Sequence, residues 1–162
     1  MNQKMDNTKL IGLICAVIAT IFSFIAAMMV LFADFGGMYI GSPSYYAYFC
    51  LFCSYLDGWS KIFIILLGLI FLALLAISIM ILLSYFGKVS AGLVKQMQLF
   101  GLIGSIVAFV FTFLVLIIFA IQADFALEWW VSTGFYGGLI GSIIVGASLG
   151  VHFYISKKAS TE

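Results

Sequence analysis

The stretch "LIGLICAVIATIFSFIAAMMVLFA", residues Leu10 to Ala33, runs for 24 residues without a Lys, Arg, Asp or Glu. An α-helix rises about 1.5 Å per residue, so a helix of this length crosses the roughly 30 Å hydrocarbon core of a bilayer with some tilt. Secretory signal peptides have a shorter apolar stretch of about 7–15 residues and end at a small-residue cleavage site, which this stretch lacks. The sequence therefore predicts a retained membrane-spanning helix.

Three further apolar runs of similar length follow along the chain. Hydrophobic residues make up 65% of the 162 residues and charged residues only 8%, whereas soluble domains are about 45–50% apolar. We therefore predict an all-α membrane protein with a single transmembrane domain, residues 1–162. Short connections favour an up-down-up-down four-helix transmembrane bundle with a longer first extracellular loop. The predicted spans are residues 10–33, 62–86, 99–121 and 131–155, the outer loops 34–61 and 122–130, and the inner loop 87–98.

The lysines predict the orientation of these spans. Cytoplasmic connections of membrane proteins carry an excess of Lys and Arg, and six of the seven lysines here fall in the two tails and the inner loop. We therefore expect a multi-pass protein with both termini cytoplasmic, and the plasma membrane as its location. Those six residues are Lys4, Lys9, Lys88, Lys95, Lys157 and Lys158.

The first outer loop is rich in aromatic residues. Glycines and the single proline, Pro43, mark turns in its first half, and an aromatic and apolar segment follows. We expect this segment to lie at the interface or on top of the bundle, as a strand pair or an interfacial helix, which periodicity does not separate. The aromatic residues expected to form an interaction surface on this side are Tyr45, Tyr46, Tyr48, Tyr55, Trp59, Trp129 and Trp130.

Cys50 and Cys53 are the candidates for chemistry in this loop. Three residues of extended strand cover roughly 10 Å, whereas a disulfide requires Cα atoms about 4.4–6.8 Å apart, so the pair closes only within a turn or a first helical turn. A structural disulfide, two free thiols and a working redox pair all remain open. Cys15 lies within the first span and is predicted to be a packed free thiol.

Small residues recur at every fourth position along the fourth span. They form one flat ridge on which another helix backbone can approach closely. Two interpretations remain open, tight packing inside one bundle or a face for a partner or another copy of the chain. The ridge consists of Gly134, Gly138, Ser142, Gly146 and Gly150.

The sequence predicts no cofactor and no metal site. His152, the only histidine, is predicted to be an interfacial side chain at the inner end of the fourth span. The spans contain no acid and no lysine, which argues against a pump or a coupled transporter. A net charge of +1 without a basic cluster gives no reason to expect nucleic acid as a partner.

Two known groups of four-span proteins are similar to this chain. With a long first outer loop that holds two cysteines, a short second loop and small-residue packing, it resembles claudins and peripheral myelin protein in topology and loop proportions, though not in their signature motif. The motif Cys50-Leu51-Phe52-Cys53 is similar to that of the bacterial disulfide bond formation protein B family, which implies thiol oxidation beside a bound quinone. That family also uses a second outer cysteine pair and an arginine, and this chain has neither.

We therefore expect a non-catalytic tetraspan membrane protein that acts through lateral helix packing and an aromatic outer loop. Its expected partners are membrane lipid and other membrane protein subunits or copies of itself, so that it serves as a self-associating scaffold or an accessory subunit. The alternative is a quinone-linked thiol-disulfide oxidoreductase that uses Cys50 and Cys53.

Overall fold

The structure, a computed structural model, describes residues 7–41, 44–53, 58–122 and 128–158. Four helices make up most of this part of the chain, and each is long and apolar enough to cross a membrane. The prediction of a helical bundle whose four helices are long and apolar enough to cross a membrane is therefore confirmed. The helices are α1 (Asn7–Phe32), α2 (Gly58–Ser84), α3 (Ala91–Gln122) and α4 (Thr133–Lys158).

The bounds of the helices differ from those of the apolar runs that predicted them. Most of the predicted inner loop, residues 87–98, is helical, because α3 already begins at Ala91. On the outer side, α2 begins at Gly58, within the predicted first loop, while α4 begins only at Thr133. A run without charges marks the hydrocarbon-crossing part of a helix, whereas Lys and Gln side chains are tolerated where the helix reaches the interface.

The helices form a ring in which α1 packs on α2 and α4, and α3 packs on the same two helices. Gly12 of α1 faces Tyr85, which follows α2, and Leu31 of α1 faces Gly68. The chain therefore runs in opposite directions in α1 and α2. Small and large apolar side chains fill the centre, among them Ala16, Ala19, Ala26, Leu67, Phe71, Ala108, Val145 and Leu149.

Large apolar side chains cover the outside of all four helices. Ile21, Leu69, Ile106 and Ile143, one from each helix, are about half exposed or more. A soluble monomer rarely exposes an apolar surface of this extent. The distribution fits a bundle that is surrounded by hydrocarbon, in agreement with the length and composition of its helices.

A three-stranded antiparallel sheet joins the two connections at one end of the bundle. Strands β1 (Gly36–Gly41) and β2 (Ser44–Phe49) form a hairpin, and β3 (Trp129–Val131) pairs with the other edge of β1. The aromatic loop is therefore a strand pair and not an interfacial helix. The sequence did not predict β3, because three residues are too few to show an alternating pattern.

Aromatic packing fixes the sheet to the helix ends. Side chains alternate between the two faces of a strand, and Ala47 and Phe49 are buried while Tyr46 and Tyr48 are exposed. The Phe49 ring contacts Phe119 near the end of α3. Its burial on the helix ends gives the sheet a fixed position relative to the bundle.

Main-chain hydrogen bonds tie the start of α4 to the segment that follows α1. The Ser132 N–H donates to the Phe35 carbonyl at 3.1 Å. The Gly134 N–H donates to the Asp34 carbonyl at 2.8 Å. A Cβ on Gly134 would come within 3.0 Å of the same Asp34 oxygen and 3.1 Å of the Phe35 Cα. Glycine at residue 134 therefore lets the two segments meet, whereas a side chain there would push the Asp34–Phe35 backbone away by a few tenths of an ångström.

Candidate functional site

The outward side of the sheet carries a cluster of aromatic rings, Tyr39, Tyr46, Tyr48 and Trp130, which we call the aromatic face. Tyr39 and Tyr46 are direct cross-strand partners, and their ring centroids lie 5.6 Å apart. The Trp130 ring is 5.9 Å from that of Tyr46 and 6.3 Å from that of Tyr48, both edge to face. The four rings therefore form one continuous surface across all three strands.

Gly37 allows the Trp130 ring to pack against the tyrosines of β2. It pairs with Tyr48 on one side and with Trp130 on the other. A Cβ at residue 37 would collide with the Trp130 indole, so the ring lies directly over the glycine backbone. The indole thereby fills the place of the missing side chain and reaches both tyrosines of β2. A cavity of about 540 Å³ adjoins the face and includes Glu128 in its lining.

The other predicted surface residues take different positions. Trp129 points to the opposite side of β3 from Trp130 and packs against the core. Trp59 lies in the first turn of α2, 74% exposed, and outside the sheet. Tyr55 and the side chain of Tyr45 lie outside the described residues. Tyr39, which the sequence analysis did not select, joins the aromatic face because its register places it opposite Tyr46.

Cys50 and Cys53 form a disulfide in a tight turn after β2. Their Cα atoms are 5.1 Å apart, and the Cys53 N–H donates to the Cys50 carbonyl at 3.1 Å. The turn is the geometry that the three-residue spacing requires. An Asp34 carboxylate oxygen lies within 4.8 Å of both sulfur atoms, but bridged sulfurs are not thiolates and do not offer the ligands that a metal needs. Between the cysteines, Phe52 is 73% exposed.

The predicted ridge on α4 is covered by α3. A Cβ at Gly138 would lie 2.8 Å from the Thr112 hydroxyl, and a Cβ at Gly146 would lie 2.8 Å from the Ser105 hydroxyl. Ser142, between these glycines, is 2% exposed and donates a hydrogen bond to the Leu139 carbonyl of its own helix. These residues of the ridge therefore face a neighbouring helix of the same chain.

A second glycine pair on α4 lies at the close contact between α4 and α1. A Cβ at Gly137 would lie 2.5 Å from the Met29 Cβ, and a Cβ at Gly141 would collide with the Cβ of Ala26. The sequence analysis missed this pair because the longer row beside it has the more regular spacing. The signal that identifies it is the tandem Gly137-Gly138 followed by Gly141, which gives small residues on two adjacent sides of one helix.

A buried polar cluster lies at the opposite end of the bundle from the sheet. His152 of α4 is 4% exposed and Gln98 of α3 is fully buried. The His152 ring lies between Gln98 and Tyr85. Its Nδ1 is 2.6 Å from the Gln98 Nε2, and its Nε2 is 2.8 Å from the Tyr85 hydroxyl. His152 is therefore a buried and hydrogen-bonded side chain, which the sequence did not predict, because α3 begins early enough to bring Gln98 against the ring.

The chemistry of the donor and acceptor groups fixes the direction of each hydrogen bond in this cluster. An amide nitrogen only donates, so Nδ1 of His152 accepts from Gln98, and the ring proton on Nε2 is donated to the Tyr85 oxygen. The Tyr85 phenol keeps its own proton at neutral pH, because a tyrosine hydroxyl ordinarily loses it only at about pH 10. Ser156 donates to the Gln98 side-chain oxygen at 3.1 Å. Gly12 on α1 leaves the space that the Tyr85 hydroxyl fills.

The sequence matches no known protein family, no curated protein and no solved structure at a significant level.

Proposed function

We propose that this chain is a non-catalytic tetraspan membrane protein that binds the outer part of a membrane partner, or of a second copy, through its aromatic face. In this proposal the helices run up-down-up-down, both termini are cytoplasmic and the sheet lies outside the plasma membrane. The claudin-like proportions of the loops support this arrangement. The protein then acts as a self-associating scaffold or as an accessory subunit.

The aromatic face is the observation that carries the proposal. Tyr46 is 62% exposed and Tyr48 is 46% exposed, although the chain buries Phe49 of the same strand. Tyr and Trp are enriched in protein interfaces because a rigid ring gives a large contact area at low entropic cost and also carries a polar group. A sheet held on the helix ends presents these rings without further ordering, so little conformational entropy is lost on binding.

We assign the partner surface to the sheet rather than to the helix ridge. The ridge residues Gly138 and Gly146 already contact α3, so a partner at these positions would have to displace a helix of the bundle. The aromatic face displaces nothing when it binds. We therefore assign self-association or subunit binding to Tyr39, Tyr46, Tyr48 and Trp130.

The test removes aromatic surface without touching the core. We expect the double variant Tyr46→Ser, Trp130→Ser to lose assembly, because interface aromatics commonly contribute about 2 kcal/mol or more each. The measurement is particle mass in mild detergent together with cross-linking in the native membrane. The matched control is Trp59→Ser, which removes an exposed ring outside the sheet and should assemble as the wild type does. Unchanged assembly of the double variant at wild-type thermal stability would contradict the proposal.

The thiol oxidoreductase alternative keeps one specific observation in its favour, the Asp34 carboxylate beside the disulfide. In that reaction a substrate dithiol is oxidised to a disulfide while the Cys50–Cys53 bridge is reduced. Two electrons and two protons then pass to a quinone, which becomes a hydroquinone. Asp34 would accept and return protons at the sulfur atoms. Quinone reduction with a thiol donor, lost when both cysteines are replaced, would favour this alternative over the binding function.

A further inference from the structure

A cleft of about 530 Å³ opens at the end of the bundle that lies away from the sheet. It is lined by residues from the starts of α1 and α3, from the end of α2 and from the last turns of α4. The polar cluster of Tyr85, Gln98 and His152 forms part of its wall. None of these polar groups has a role in the outer aromatic face, so the cleft needs an explanation of its own.

The charged side chains in the described lining of the cleft are all positive. Lys9 of α1 and Lys95 of α3 both line it, and the described residues of its lining include no Asp or Glu. The two carboxylates in the described part of the chain, Asp34 and Glu128, belong to the sheet end of the bundle. Two ammonium groups that line one cavity without a carboxylate beside them attract an anion.

The cleft wall adds a directed hydrogen-bond donor. Because the His152 ring donates to the Tyr85 oxygen, the phenol proton of Tyr85 remains to be donated elsewhere. Gln98 holds the ring in this state from its buried position on α3. Polar and ionisable side chains are expensive within membrane helices and usually mark functional sites there. The arrangement thus offers an anion two cations and one neutral donor.

The depth of the cleft indicates where the anion comes from. Lys9 lies in the first turn of α1, and Lys95 lies near the start of α3. The ends of membrane-spanning helices lie at the level of the lipid headgroups, where phosphate groups are the abundant anions. Apolar side chains of Val89 and Val94 also line the cleft, which suits a ligand whose glycerol and acyl part continues into the bilayer.

We propose that this cleft binds the phosphate group of an anionic phospholipid, held by Lys9, Lys95 and the Tyr85 hydroxyl. A phosphomonoester carries about −1.5 to −2 charges at neutral pH and matches two lysines. A zwitterionic phosphodiester headgroup brings its own cation into the cleft. The site therefore selects a phosphatidate-type headgroup over a choline headgroup.

Lys88 provides a matched control for this site. It belongs to the same end of the molecule, is exposed and does not line the cleft. If the lysines act only as a diffuse positive surface, Lys88→Gln should weaken lipid binding as much as a change within the cleft. If the cleft is the site, only changes at the two lysines that line it should weaken lipid binding.

The experiment titrates purified protein in neutral detergent with phosphatidate and with phosphatidylcholine of the same acyl chains, and reads bound lipid by native mass spectrometry. We expect the wild type to prefer phosphatidate. The double variant Lys9→Gln, Lys95→Gln should lower that affinity about tenfold or more, which corresponds to about 1.4 kcal/mol or more, because it removes both cations that face the phosphate. Lys88→Gln should stay within about twofold of the wild type, a difference well under 1 kcal/mol. Tyr85→Phe should bind phosphatidate several times more weakly at unchanged oligomer size.

Soluble glycerol 3-phosphate separates the two sources of the phosphate group. If the lipid is the ligand, glycerol 3-phosphate at the same concentration should bind far more weakly than phosphatidate, because it lacks the acyl part. Equal binding of glycerol 3-phosphate and phosphatidate would overturn the lipid assignment. Equal binding of phosphatidate and phosphatidylcholine would overturn the anion site, as would wild-type affinity in the folded double lysine variant.

Discussion

At the scale of single residues, the turn from Cys50 to Cys53 shows how local geometry limits chemistry. The cysteines close their bridge because β2 ends at Phe49 and the chain turns at once. A continued strand would have kept the two sulfur atoms apart. The bridge encloses very few residues, so it restricts the unfolded chain only slightly.

Replacing Cys50 and Cys53 together with Ser should therefore lower stability only modestly. A chain-entropy estimate for so short a loop gives about 2 kcal/mol at most. Thermal unfolding in detergent measures this change, and intact mass after non-reducing alkylation of the wild type should show one blocked thiol, Cys15. A loss of folding in the double variant, or three blocked thiols in the wild type, would contradict a modest structural role.

At the scale of elements, α4 is organised by small residues on two sides. One side meets α3 through Gly138 and Gly146, and the other meets α1 through Gly137 and Gly141. Helices in a membrane gain little from hiding apolar surface from lipid, so close backbone contact and hydrogen bonds hold them together. The close approach on both sides makes α4 the helix least tolerant of added side-chain volume.

Gly141→Ala should be clearly more destabilising than Gly150→Ala, although both add one methyl group to the same helix. At residue 141 the new Cβ would collide with the Cβ of Ala26, which cannot rotate away, so we expect a loss of about 1–3 kcal/mol. At residue 150 the nearest atom belongs to Leu102 at 3.6 Å, an ordinary contact. Alanine there should be neutral or slightly stabilising because it favours the helix.

Thermal stability and folded yield of the two variants give the comparison directly. Similar melting temperatures for Gly141→Ala and Gly150→Ala would show that α1 and α4 are not as close as their contacts indicate. An unchanged oligomer size in both variants is also expected, since each glycine faces a helix of the same chain.

At the scale of the whole molecule, the two ends of the bundle differ in chemistry. The sheet end carries the aromatic face and the two carboxylates in the described part of the chain, Asp34 and Glu128. The other end carries the polar cluster and the cleft with Lys9 and Lys95. This asymmetry agrees with a fixed orientation in the membrane, with the lysines on the cytoplasmic side.

A pair of matched cysteines tests this orientation. Gly58 and Gly92 lie in the first turns of α2 and α3, at opposite ends of the bundle, and a Cβ at either residue would meet open space. In a Cys15→Ala background, an impermeant maleimide should modify Gly58→Cys in intact cells and Gly92→Cys only after permeabilisation. Equal labelling of both in intact cells, or the reverse order, would overturn the topology.

The sequence by itself determined the class of the protein and the number of its spans. A charge-free apolar run such as Leu10 to Ala33 is a local property, because length and hydrophobicity alone decide whether a helix crosses a bilayer. The lysine positions likewise predict an orientation without any knowledge of packing. The spacing of Cys50 and Cys53 indicated in advance that only a turn permits a bridge.

Only the tertiary structure decided which residues meet. Tyr85 and Gln98 are 67 and 54 residues from His152 along the chain, so no local pattern shows that they share one hydrogen-bonded cluster. The same holds for β3, which becomes a strand because β1 offers it an edge, and for Gly137 and Gly141, which matter because α1 lies against them. Contacts between distant segments depend on how the helices pack, and packing is not encoded in the composition of any single segment.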